Sequence, residues 1–123
     1  MIRIFEVGPR DGLQNLPHVP STEDKIQLIK HLRDAGLTRI EVTSFVHPKA
    51  VPNMADAEQV CAAFDDKTGF SVLVPNQRGM DRAIASGMTH YNIFFSPCDT
   101  FNVANYGLKL ERILDNYEEA LDG

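Results

Sequence analysis

The chain has 123 residues, with 12 Lys and Arg against 17 Asp and Glu, and a formal net charge of −5. That length suits a single domain. The acidic balance, with basic residues scattered rather than clustered, argues against nucleic acid as a partner. No apolar run approaches the roughly 18 residues of a membrane span, so no membrane association is expected.

A strand-like run over residues 2–7 (Ile-Arg-Ile-Phe-Glu-Val) opens the chain almost at Met1, leaving no room for a leader peptide. Ser21-Thr22-Glu23-Asp24 has the form of a capping box, and Ile26, Ile29 and Leu32 supply the apolar stripe of a first helix ending at Gly36. Residues 38–45, rich in β-branched side chains, predict a second strand, and 54–64 a second helix. Residues 70–74 predict a third strand and 77–86 a third helix ending at Gly87. A fourth strand is expected over 91–95 and a fourth helix over 108–121.

The unit repeats: Ala35-Gly36-Leu37-Thr38 is echoed by Ser86-Gly87-Met88-Thr89, each time between a helix and a strand. Four β/α units in succession imply an α/β fold with a parallel sheet and right-handed crossovers. Two architectures satisfy this, a small open α/β sandwich and the N-terminal half of a (β/α)8 TIM barrel, whose whole length is typically about 250 residues. In both, the polar residues after each strand, including Arg10, Asp11 and the segment from Ser44 to His47, fall on the active face. No glycine-rich phosphate loop follows any strand.

Arg10 and Asp11 lie between Gly8-Pro9 and Gly12, where a turn or bulge can bring both side chains to one site. There Asp11 can offer a hard oxygen to Mg²⁺ or Mn²⁺, and Arg10 a fixed positive charge to an oxyanion. The plain alternative is a solvated Arg–Asp turn. Glu41 is the more telling residue, because a carboxylate inside Arg39-Ile40-Glu41-Val42-Thr43 requires a cationic or hydrogen-bonding partner. Arg10 is that partner if the first two strands are neighbours; a purely structural ion pair is the competing account. His18, His31, His47 and His90 show no metal-binding spacing. Cys61 and Cys98 read as reduced thiols of a cytoplasmic protein, with Cys98 expected to be buried.

Residues 7–15, Val-Gly-Pro-Arg-Asp-Gly-Leu-Gln-Asn, resemble the N-terminal signature of the hydroxymethylglutaryl-CoA lyase family. The likeness continues through residues 40–46, Pro48-Lys49, Val51-Pro52-Asn53-Met54 and Val74-Pro75-Asn76, and it runs over essentially the whole chain. The resemblance implies the N-terminal half of a metal-dependent TIM barrel that cleaves 3-hydroxy-3-methylglutaryl-CoA to acetoacetate and acetyl-CoA in leucine breakdown. On it, Asp11 is a ligand of a divalent cation, Arg10 stabilises the enolate oxygen, and Glu41 assists at the hydroxyl-bearing end. Gln14 and Ser44 line the substrate pocket, and Asn105 falls near the acyl-CoA phosphates. The family's remaining metal ligands and its catalytic cysteine belong to the second half of the barrel. Residues 1–123 are thus expected to form one partial barrel domain, inactive alone, that self-associates or pairs with a C-terminal half. A related aldolase or Claisen-type enzyme acting on another 3-hydroxy acid or acyl thioester stays open, as does a non-catalytic α/β binding module.

Overall fold

A computed structural model describes residues 1–122, apart from the side chains of Asn105 and Tyr106. Three strands, β1 (Ile40–Ser44), β2 (Phe70–Leu73) and β3 (Tyr91–Asn92), form a parallel sheet in the order β1-β2-β3. Helices α1 (Thr22–Asp34), α2 (Ala57–Ala62) and α3 (Gln77–Ala85) connect or precede them, and α4 (Asp99–Tyr106) and α5 (Leu110–Asp122) follow. This is an α/β arrangement consistent with part of a barrel.

One core joins the layers. Ile29 of α1, Val60 and Cys61 of α2, Met80 and Ala83 of α3 and Ala120 of α5 pack with Ile40, Val42, Phe70 and Val72 of the sheet. All five β1 residues are buried, as expected for a parallel strand under helices. The α1 cap forms as the capping-box pattern implies at its Ser21 end, where the Ser21 hydroxyl accepts from the Asp24 backbone N–H at 3.1 Å.

The repeated Ala/Ser-Gly-X-Thr element is a helix stop. Gly36 and Gly87 adopt φ of 94° and 79°. Beyond them Leu37 N–H bonds to the Leu32 carbonyl and Met88 N–H to the Ala83 carbonyl, each at 3.2 Å. Both turns close carbonyls that the helix leaves unpaired, a geometry that favours glycine.

Four expectations need correction. The opening run 2–7 is not a full strand: among the described residues its pairing is a single parallel bridge between Glu6 and Ile40. Ile2 and Ile4 are exposed, so among the described residues nothing covers the run's earlier residues and no second neighbour holds them in register. The expected fourth strand is cut to Tyr91–Asn92 for the same reason, since Ile93, Phe94 and Phe95 emerge at the free side of the sheet. The helix expected from residue 54 divides into a 3-10 turn, Pro52–Met54, and α2. Finally, α4 adds a helix between the expected fourth strand and the helix expected over 108–121, and Gly107 ends it with φ 69°.

Candidate functional site

The turn after Val7 is a π-helical turn, Gly8–Gly12, in which the Val7 carbonyl accepts from the backbone N–H groups of Arg10 (3.1 Å) and Asp11 (2.7 Å). The flanking glycines play a smaller part than expected. Neither has positive φ, and a Cβ on Gly12 would meet nothing. At Gly8 a Cβ would come within 2.9 Å of Glu6 Oε1, which accepts the Gly8 N–H at 2.8 Å. A Cβ at Gly8 would therefore displace only the end of the Glu6 side chain and its bond to the Gly8 N–H, and Gly12 is not required by conformation or contact.

The turn sits beside β1, because Glu6 bonds to both sides of Ile40: its N–H reaches the Arg39 carbonyl (2.9 Å) and its carbonyl accepts the Glu41 N–H (2.8 Å). From this position Arg10 Nε donates to Glu41 Oε1, joining the two residues that strand adjacency predicts. Arg10 Nη1 also reaches Asp11 Oδ1 (3.2 Å) and Gln14 Oε1 (3.4 Å). Among the described residues Nη2 has no partner, which leaves one edge of the guanidinium to receive a ligand oxygen. Glu41 is 3% exposed, so its charge is held inside the protein by these bonds.

Ser44 reaches the same face by a β-bulge. Glu41 pairs with Ser71 and Ser44 with Leu73, but the register slips between Glu41 and Thr43. In a regular strand, residues three apart face opposite ways; the extra residue restores Ser44 to the Glu41 side. Val42 and Thr43 face the helices, Val42 in the core and Thr43 bonded to Met54 Sδ at 3.8 Å.

Two further residues complete the cluster and were missed in the sequence. Asn92 Nδ2 donates to Glu41 Oε2 (2.5 Å) and to Ser71 Oγ (3.0 Å). The available signal was the one used for Glu41: Ser71 and Asn92 are polar residues inside strands otherwise read as apolar. Ser71, Asn92, Phe5 and Tyr91 border an open hollow of about 600 Å³ on this side of the sheet.

A separate clamp fixes the loop that carries Gln14. Buried Asn53 donates through Nδ2 to the carbonyls of Leu13 (2.8 Å) and Leu16 (3.1 Å). Lys25, also buried, donates to the Asn53 carbonyl (2.5 Å) and to Asp56 Oδ1 (2.6 Å).

Of the remaining expected residues, Asp11 touches Arg10 but its side chain is 63% exposed. One exposed carboxylate does not make a cation site, and no group of three or more His, Cys, Asp or Glu among the described residues can hold a metal. The Asn105 side chain lies outside the described residues. His47 is exposed, and its Nδ1 accepts the Lys49 N–H at 3.2 Å. Cys98 is exposed rather than buried, since it stands at the start of α4, where the Phe101 and Thr100 N–H groups lower its thiol pKa. Burial pushes the Cys61 thiol up to about 11.

Residues 1–122 match the HMGL-like family model. A hydroxymethylglutaryl-CoA lyase of Bacillus subtilis is 47% identical over 106 residues, covering 85% of this chain and 36% of its own length. The mitochondrial hydroxymethylglutaryl-CoA lyase of Macaca fascicularis is 41% identical over 122 residues, covering 98% of this chain and 38% of its own. The fold matches an HMG-CoA lyase of Acinetobacter baumannii, solved with coenzyme A and 3-methylmalate, at a TM-score of 0.92 and 35% identity. That match covers 99% of this chain and 41% of the solved one. The chain therefore spans well under half the length of the relatives it matches.

Proposed function

The chain belongs to the HMGL-like family, and from that premise we propose that it supplies the N-terminal half of a (β/α)8 barrel enzyme that cleaves 3-hydroxy-3-methylglutaryl-CoA to acetoacetate and acetyl-CoA. The observation that carries this reading is the Arg10–Glu41 pair, fixed beside the strand ends with one guanidinium edge open. In the cleavage, the electron pair of the breaking carbon–carbon bond passes to the thioester side, and negative charge grows on the enolate oxygen of the departing acetyl-CoA. Arg10 is the group that meets that charge. A cation already oriented by a buried carboxylate needs little reorganisation when the charge appears.

Glu41 sets the direction of Arg10 and acts at the hydroxyl-bearing end of the substrate. Gln14 and Ser44 border the substrate on the same face, and the family resemblance alone assigns Asn105 to the acyl-CoA phosphates. Asp11 offers a single carboxylate to a divalent cation, Mg²⁺ or Mn²⁺, whose other ligands come from outside these 123 residues. The free sides of the sheet suit a partner half. Ile93, Phe94 and Phe95 on one side and Ile2, Ile4 and Phe5 on the other are exposed, and unpaired strand edges favour association. We infer that these two sides receive the remaining strands of the barrel, or a second copy of the chain in their absence. No helix among the described residues is long and apolar enough to cross a membrane, and a cytoplasmic setting suits the two free thiols.

The test is kinetic. In a polypeptide carrying the whole barrel, Arg10→Met is expected to lower kcat for acetoacetate release by about a hundredfold or more, the scale set by loss of one oxyanion donor. Asp11→Asn is expected to weaken the dependence on added Mg²⁺ or Mn²⁺. Unaltered kinetics in both variants would refute the assignment.

A further inference from the structure

We propose that Asn92 is a positioning residue of this site: its side-chain amide, braced by Ser71, holds the Glu41 carboxylate in the orientation that binds Arg10. The inference deepens the reading above and rests on it only for the importance of Arg10. Glu41 belongs to β1 and Asn92 to β3, with β2 between them. Ser71 stands directly opposite Glu41 on the intervening strand, and Asn92 pairs with Leu73, two residues further on. The Asn92 amide therefore spans the middle strand, taking Glu41 Oε2 at 2.5 Å and Ser71 Oγ at 3.0 Å.

The orientation of the amide follows from its chemistry. A reversed side chain would set the carbonyl oxygen against a carboxylate that accepts only, so the NH₂ group must face Glu41. Each carboxylate oxygen then has its own donor, Oε1 from Arg10 and Oε2 from Asn92. The terminal torsion of a glutamate is broad and twofold. With Oε2 released, the carboxylate can turn about that torsion and carry Oε1 away from Arg10 Nε. Glu41 is 3% exposed, so water is poorly placed to replace the missing donor. Asn92 thus acts on Arg10 through Glu41, without touching the guanidinium.

The experiment uses the 123-residue chain and needs no substrate. Hydrogen exchange at the Arg10 Nε–H is followed by NMR in near-neutral buffer, beside the backbone amides of β1 and β2. Asn92→Leu keeps the volume and removes the donor. It is expected to speed Arg10 Nε–H exchange roughly ten- to hundredfold, the range for losing a charge-assisted hydrogen bond, with backbone protection unchanged. Asn92→Asp keeps the shape and reverses the polarity, and it carries the test if the leucine variant fails to fold; the same acceleration is expected. Wild-type exchange at Arg10 in a folded variant overturns the proposal, as does a parallel loss of backbone protection, which marks a merely structural residue. If exchange depends on Asn92 while the whole-barrel polypeptide releases no acetoacetate, the positioning role stands and the lyase reading fails.

Discussion

Replacing Lys25 by Met tests whether the loop bearing Gln14 is held by a buried polar clamp. The Lys25 side chain is 5% exposed, that of its partner Asp56 is 17% exposed, and the Asn53 carbonyl accepts from the Lys25 ammonium at 2.5 Å. Met matches the length and apolar stem of Lys, so cavity formation contributes little. Removing one member of a buried ion pair costs about 3–5 kcal/mol. Asp56 keeps its bond from the Thr22 hydroxyl at 2.6 Å, which moves the expectation to the lower end, about 3 kcal/mol. Against a total of about 5–15 kcal/mol, that is a large loss. Urea unfolding of the purified chain at neutral pH reads it directly as a lower midpoint with unchanged slope. Lys25→Met combined with Asp56→Leu should recover most of the loss, because no lone charge is left behind. A loss below about 1 kcal/mol for Lys25→Met would refute the clamp, since that is the scale of a solvated surface pair.

Gly69 has φ 77°, and a Cβ there would lie 1.9 Å from the Thr38 carbonyl oxygen. Gly69→Ala is therefore expected to cost at least about 2 kcal/mol, the left-handed penalty plus displaced backbone, read by the same urea titration. Alkylation by iodoacetamide should label Cys98 well before Cys61, as mass spectrometry of the folded chain will report, because one thiol is exposed with a lowered pKa and the other is buried with a raised one. The Arg82 guanidinium bonds to Glu58 at 2.6 and 3.0 Å and lowers its carboxyl pKa below 4.5. The pair therefore stabilises the fold above that value and loses its contribution as pH falls through the lowered pKa. Glu58→Gln should lower stability at neutral and alkaline pH, leave it unchanged well below the lowered pKa, and so flatten the acid side of the stability–pH profile.

What could be read in the sequence was the part governed by local rules. The Ser21 cap, the glycine stops at Gly36 and Gly87 and the buried run of β1 all depend on residues close in the chain. Glu41 was informative because a carboxylate in a buried strand must be paired, and the pairing with Arg10 followed from the order of the strands. The bulge that turns Ser44 toward Glu41 has no local signature in Ile40-Glu41-Val42-Thr43-Ser44. It shows only when β1 is set against β2. Asn92 was hidden for a related reason: its partner is 51 positions away on a strand it does not adjoin. The outer runs 2–7 and 93–95 were overread as strands because β-propensity records how well a residue suits a sheet. It does not say whether a neighbouring strand is there to pair with it.

The most direct test of the account is acetoacetate production from 3-hydroxy-3-methylglutaryl-CoA with Mg²⁺, compared between the 123-residue chain and the same residues joined to the complementary barrel portion of the Bacillus subtilis relative. No product is expected from the chain alone, product is expected from the joined barrel, and that product is expected to be lost in the joined Arg10→Met variant. Product from the chain alone, or full activity in the joined Arg10→Met variant, would contradict it.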